Sequence, residues 1–213
     1  MKKVIIIIDM GHGANTTGKC SPDRTFFEFR FNRTVGVKLG KMLTQAGYKV
    51  LYTWEGDKEP LYQELPMLYK AQLNACLAYR YRKVNEYCKQ FGTKNCLCVS
   101  IHSNAAGCDG KWHDAKGFCV MVGRNASDAS KKFAKSVYEQ ALAQGFKGNR
   151  CVPSEHYWVQ ALAMCEKTNC PAILTENLFY DNKEDLAILK SEEGVNKIVK
   201  MHFDGIVNYC NSL

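Results

Sequence analysis

Three short apolar runs, each closed by a polar group suited to catalysis or ligation, constrain this chain more than any other feature. Val4 to Ile8 runs into Asp9 and then the glycine-flanked His12. Cys96 to Val99 runs into Ser100 and His102, and Pro171 to Leu174 into Thr175 and Glu176. Such runs are short, rich in β-branched residues and continuous rather than alternating, which is the pattern of strands buried on both faces. Between them the period changes. From Glu28 to Ala46, the apolar Val35, Leu39, Met42, Leu43 and Ala46 fall at helical spacing, and Gly47 is a natural C-cap. Tyr48 to Trp54 reads as a second strand, Leu73 to Phe91 as a helix closed by Gly92, and Gly117 to Val122 as a further strand. Ser127 caps a helix to Ala143, and Ser191 opens a last one to Tyr209 with a stripe of Val195, Ile198, Val199, Phe203, Ile206 and Val207. Strands alternating with helices predict one α/β domain over residues 1–213, with a largely parallel, mixed central sheet flanked by helices. Ligand sites in such sheets form at the carboxyl ends of strands. The loops at 11–25, 55–72, 104–116 and 146–157 are the places for substrate contacts.

Composition narrows the function classes. The formal charge of +8 suits nucleic acid, anionic membranes or anionic wall polymers. No long Lys/Arg block or RNA-binding signature accompanies it, which argues against nucleic acid. No apolar run approaches the ~20 residues of a membrane helix, so no integral membrane segment is expected. The opening run is shorter than the ~7–15 residues of a signal h-region and has no small-residue cleavage site after it. The reading is of a chain made in the cytoplasm without a signal peptide. Eleven cysteines are scattered, several inside apolar segments, and read as small buried hydrophobes in a reducing compartment. Paired CxxC knuckles are absent, which argues against a structural tetrathiolate zinc site.

Glu28 heads the helix that follows the loop carrying His12. Two histidines and two glutamates from separate parts of the chain, His12, Glu28, His102 and Glu176, can therefore converge on one sheet edge. Catalytic zinc commonly takes a His₂Glu ligand set and keeps a fourth place for water, and a further carboxylate can shuttle that water's proton. Taken singly, each residue has a plain structural explanation. His12 could be a turn residue, His102 could bond a backbone group, and Glu28 could answer the helix dipole. Of the other histidines, His202 reads as packed in the last helix and His113 as solvated in a polar loop. His156 stands beside Tyr157 and Trp158, which suit either stacking on substrate or core packing.

These residues resemble the zinc-dependent N-acetylmuramoyl-L-alanine amidases of the amidase-3 type. The resemblance rests on Asp9-Met10-Gly11-His12-Gly13, on Glu28 with Asn32, and on Leu77, Arg80 and Asn85. It rests also on Ser100-Ile101-His102-Ser103-Asn104-Ala105 and on Pro171 to Phe179 followed by Asn182 to Asp185. The motifs keep their order over nearly the whole chain. The resemblance implies one zinc ion on His12, Glu28 and His102, with Glu176 as general base and Asn104 in contact with substrate. The implied reaction cuts the amide between N-acetylmuramic acid and L-alanine of peptidoglycan. Without a separate wall-binding domain, the chain is similar to a monomeric single-domain phage or prophage endolysin that reaches the wall on release or lysis. Two departures stand out: Met10 replaces a proline and loosens its turn, and Leu178 replaces a glycine beside Glu176 and threatens to crowd the site. A zinc peptidase on the same scaffold and a non-enzymatic wall-binding protein are the alternatives.

Overall fold

The computed structural model describes residues 4–55, 69–149 and 151–213, with side chains from residue 73 onward in the second stretch. Most of the 55–72 loop expected to touch substrate lies outside the described residues. The elements are β1 (Ile5–Met10), α1 (Glu28–Gln45), β2 (Lys49–Tyr52), α2 (Tyr69–Phe91), β3 (Cys96–Asn104), β4 (Cys119–Gly123), α3 (Asp128–Ala143), β5 (Trp158–Gln160), α4 (Ala163–Glu166), β6 (Ala172–Phe179), α5 (Lys183–Lys190) and α6 (Glu192–Asn211). They build a single α/β domain around a sheet of order β2-β1-β3-β6-β4-β5. The first four strands in that order are mutually parallel, β4 is antiparallel to β6, and β5 is parallel to β4.

The continuous apolar runs are explained by cover on both faces. Ile6, Ile8 and Met10 of β1 join Leu97, Val99 and Ile101 of β3 in a large core with residues of α1, α3 and α6. The alternate residues Ile5, Ile7, Cys96 and Cys98 face α2 in a smaller core with Val84, Cys88 and Cys170. Of the eleven cysteines expected to be buried hydrophobes, seven are buried, Cys20 and Cys210 are half-buried, and Cys108 and Cys151 are exposed. Gly36 lets α1 lie close on β1, because a Cβ there would come within 2.6 Å of Met10 Cγ. Met10 is itself the last residue of β1, and its side chain is buried against Gly36.

Two strands run further than the sequence suggests. β3 continues past Ser100 to Asn104 and β6 past Thr175 to Phe179, pairing His102 with Glu176 before a register shift between His102 and Asn104. The two polar residues therefore lie inside the last turns of the ladder, not in loops beyond it. Three elements escape the sequence reading altogether: the three-residue strand β5, the four-residue helix α4, and α5, which starts at Lys183 just past Asn182. The Asn182 side chain caps α5 by accepting from the Glu184 and Asp185 amides. Ser191 then closes α5 and caps α6 through Gly194 N.

Candidate functional site

The end of β1 is fixed before it reaches His12. Asp9 is fully buried and accepts from Arg80 Nε at 2.8 Å, Ser100 Oγ at 2.5 Å and Thr53 Oγ1 at 2.6 Å. This bidentate, charge-assisted pairing ties β1 to α2, β3 and the residue after β2. Gly11 N then donates to Ile101 O at 2.9 Å, and Asn32 Nδ2 donates to Gly11 O at 2.9 Å. A Cβ on Gly11 would fall 2.1 Å from Cε1 of His102, so only glycine leaves room for that ring. His12 follows in the left-handed region at φ 59°, where non-glycine residues are uncommon. Its carbonyl accepts from Arg33 Nη1 at 3.3 Å. The His12 and His102 rings meet edge to face at 90°, 4.9 Å apart.

Glu28 stands at the first position of α1, where the helix dipole favours a carboxylate. Its Oε1 accepts from Ser103 N at 3.1 Å and lies 3.1 Å from His102 Nδ1, while Oε2 lies 3.5 Å from His12 Nε2. One ligand atom from each of His12, Glu28 and His102 lies within 4.8 Å of the other two. Burial drives His12 down to about 3, so its ring is neutral at pH 7 and offers a lone pair. Burial also works against the Glu28 charge, but His12 and His102 outweigh it and hold the carboxyl below its ordinary value. Two imidazoles and one ionised carboxylate, packed together out of water, suit a divalent cation: without one, a buried negative charge would face mostly neutral partners.

Glu176 projects from β6 opposite His102 and lines the same cavity of about 530 Å³ as the triad. Burial pushes its carboxyl up to about 7, with Glu28 adding to the rise and His102 opposing it. Its Oε2 has no hydrogen-bond partner among the described residues. Asn104 lines this cavity as well, and its Oδ1 accepts from the Ala105 amide at 2.9 Å. All five residues singled out in the sequence therefore meet at one sheet edge.

The other histidines are elsewhere. His202 is fully buried, its Nδ1 donating to Ile198 O at 2.8 Å and its Nε2 accepting from Thr175 Oγ1 at 2.9 Å. His113 is half-buried, with its Nε2 2.9 Å from Asp109 Oδ1. His156 and Trp158 pack on Tyr138, with ring centroids 5.1 and 6.1 Å away. Leu178 does not crowd the site. Its side chain turns into the main core, and the departure from glycine appears instead as a left-handed backbone at φ 63°.

Some supporting residues are not evident from sequence. Asn177 Nδ2 donates to His102 O at 2.7 Å and steadies the strand behind the ring. Asp181 Oδ2 accepts from the Ala106 and Gly107 amides at 2.7 and 3.1 Å, fixing the loop after β3. A polar residue just past a strand end gives little warning that it will bond a loop 75 residues away.

A mostly parallel sheet whose strand ends gather a His-Glu-His triad and an adjacent buried carboxylate defines an α/β domain with a potential metal centre. The chain belongs to the N-acetylmuramoyl-L-alanine amidase family Amidase_3, whose pattern matches residues 6–208. It is similar to the endolysin of Bacillus phage SPP1, with 24% identity over 207 residues that make up 97% of this chain and 66% of that protein. The chain thus spans just under two thirds of the length of that curated relative. Among solved structures, the CwlD amidase from Clostridioides difficile in complex with the GerS lipoprotein superposes with TM-score 0.82 at 21% identity, over 99% of this chain and 100% of that one. The catalytic domain of CwlV, an N-acetylmuramoyl-L-alanine amidase from Bacillus (Paenibacillus) polymyxa, gives TM-score 0.75 at 25% identity, over 98% of each.

Proposed function

We propose that this protein is a zinc-dependent amidase that hydrolyses the bond between N-acetylmuramic acid and L-alanine in peptidoglycan. The observation that carries this reading is the convergence of His12, Glu28 and His102 within 4.8 Å in a cavity shared with Glu176. Family membership supplies the substrate class. One zinc ion on His12, Glu28 and His102 would polarise the amide carbonyl and acidify a water. The chain's own residues do the rest. Gly11, Ser103 and Asn177 hold the His102 ring and the Glu28 carboxylate in place. Glu176, with Oε2 uncommitted, takes a proton from the attacking water and returns it to the departing L-alanine nitrogen. Asn104 meets the substrate at the cavity wall. The metal ligands all come from one chain, which supports a monomer as the working unit, with residues 1–213 as one catalytic domain and no second wall-binding unit among them. None of the described helices is long and apolar enough to cross a membrane. The protein acts on the wall, and the +8 charge favours retention on an anionic envelope.

Purified protein supplied with zinc is expected to release new L-alanine amino termini from peptidoglycan. Glu176→Gln should stop release while zinc stays bound, and a variant that keeps full rate removes Glu176 from the base role. Mass analysis of the products separates this reaction from a peptidase cut, which would leave alanine on muramic acid.

A further inference from the structure

The cleft has two chemically different arms that meet at the triad. The arm of about 530 Å³ that holds Glu28 and Glu176 is bordered by Lys19, Arg24 and Lys111. The other, of about 470 Å³, shares His12, His102 and Lys19, which stands where the two arms meet, but is otherwise walled mainly by Leu77, Leu162, Met164 and Leu174. The three cations come from two separate loops, the one between β1 and α1 and the one after β3. None of the three is ion-paired with a carboxylate among the described residues. Elsewhere this protein pairs such groups readily, as in Arg124 with Glu166 and Lys116 with Glu184.

Arg24 is held at the rim by a built turn. Its backbone is left-handed at φ 56°, and its amide donates to Ser21 O at 2.9 Å. Ser21 Oγ donates to Asp23 Oδ1 at 2.6 Å, the Thr25 amide donates to the same oxygen at 3.1 Å, and the Phe26 amide donates to Ser21 Oγ at 3.1 Å. A non-glycine residue in that conformation costs free energy, and such strain concentrates where a side chain must be presented. The negative groups facing the arm are Glu28 and Glu176 at its floor and Asp181 in its wall. Asp181 already accepts two backbone amides, and the Asp23 carboxylate is held within its own turn by Ser21 and Thr25, so Lys19, Arg24 and Lys111 are the charged groups left at the rim to meet an anionic ligand.

We infer that the Lys19, Arg24 and Lys111 arm is a carboxylate-recognition subsite that takes the stem peptide, while the apolar arm takes the lactyl and N-acetyl side of the muramoyl group. This deepens the amidase reading and rests on it. The first carboxylate beyond L-alanine in a stem peptide is the α-carboxylate of the second, D-glutamyl residue. It is a charge in walls that leave it free and a neutral amide in walls that amidate it. Cationic side chains at the rim discriminate between the two, because a charge-assisted contact is lost when the carboxylate becomes an amide.

The test compares two soluble substrates, N-acetylmuramoyl-L-alanyl-γ-D-glutamyl-L-lysine and its glutamyl α-amide, in the zinc-loaded protein. The parent is expected to cleave the free acid with kcat/KM about tenfold or more above the amide, a preference that shrinks with added salt. In Arg24→Gln/Lys111→Gln the ratio should fall to within about threefold, with the loss for the acid carried mainly by KM. Both positions are exposed, and unchanged circular dichroism verifies folding, with the Lys111→Gln single variant giving a partial fall. Equal rates on both substrates in the parent overturn the subsite while leaving the amidase reading intact. A preference that survives in the double variant overturns the assignment to these residues. Failure to cleave either substrate overturns the amidase reading itself.

Discussion

Replacing Arg80 by methionine isolates the feature that anchors the site from behind. Asp9 is fully buried, and Arg80 is 4% exposed, so neither charge is screened by solvent. Burial alone would raise the Asp9 carboxyl, but Arg80, with hydrogen bonds from Ser100 and Thr53, outweighs it and brings it to about 2 from an ordinary 3.8. That difference corresponds to roughly 2 kcal/mol of native-state preference for the ionised form. Its sign is that of a depressed carboxyl. The contribution is complete above pH 3.8 and is lost as pH falls toward 2. Arg80→Met leaves the carboxylate buried without its cation, at an expected cost of about 3–5 kcal/mol at pH 7. Burial then goes unopposed by any cation, so the Asp9 carboxyl moves above its ordinary value. Protonation on mild acidification relieves the variant while the parent gains nothing. Urea unfolding followed by circular dichroism at pH 7 and pH 4.5 reads both effects. The destabilisation should shrink by more than about 1 kcal/mol at the lower pH. A loss under about 1 kcal/mol, equal at both pH values, would refute the account of Asp9 as a charge that depends on Arg80.

Other perturbations separate the site from its scaffold. Gly11→Ala places a methyl 2.1 Å from His102 Cε1, and it should cost at least about 100-fold in activity and weaken zinc retention by direct metal titration, with secondary structure unchanged. Zinc affinity near the parent's would show that the His102 ring had room to spare. Leu178→Gly removes a left-handed strain of about 1–2 kcal/mol but also a buried leucine side chain worth about 2–5 kcal/mol. Net destabilisation is expected in thermal unfolding, and a rise in Tm would show that strain dominates. His202 is buried in its neutral form, with burial lowering it to about 4 from 6.5. The unfolded chain therefore binds the proton first, and stability falls as pH drops from 6.5 toward 4. His202→Gln should flatten this decline by about 2–3 kcal/mol between pH 6.5 and 4.5, and an unchanged slope would exclude His202 as its source.

The legibility of this protein varies with the kind of signal each part carries. β1, β3 and β6 are readable because strands covered on both faces need uninterrupted apolar residues, so a histidine or glutamate that interrupts the run stands out. Their extent is less readable. Once the core is complete, polar residues such as His102, Ser103 and Glu176 can continue the ladder through backbone pairing alone, and composition does not mark that. β5 is three residues long, half-exposed to exposed, and has no period to detect. α5 offers Asn182 with Glu184 and Asp185, a recognisable start, but its eight residues end before a helical stripe can repeat.

The pairing that escapes notice shares a property with the residues that do not. His12, Glu28, His102 and Glu176 announce themselves by chemistry that is expensive to bury. Asp9 and Arg80 are equally expensive, and both stand in the motifs that carry the family resemblance, yet nothing in the sequence says that they pair across 71 positions. The cost of burying that pair makes sense from its position. It clamps β1 immediately before Gly11, whose missing side chain leaves room for His102, and before His12, whose left-handed backbone needs a fixed base. The ion pair is dispensable to a sheet already held by Ile5 through Ile8, and well-packed apolar residues would serve stability as well. What apolar packing cannot supply is the directional hold on β1 from three elements at once, which is what an oriented triad at its end requires.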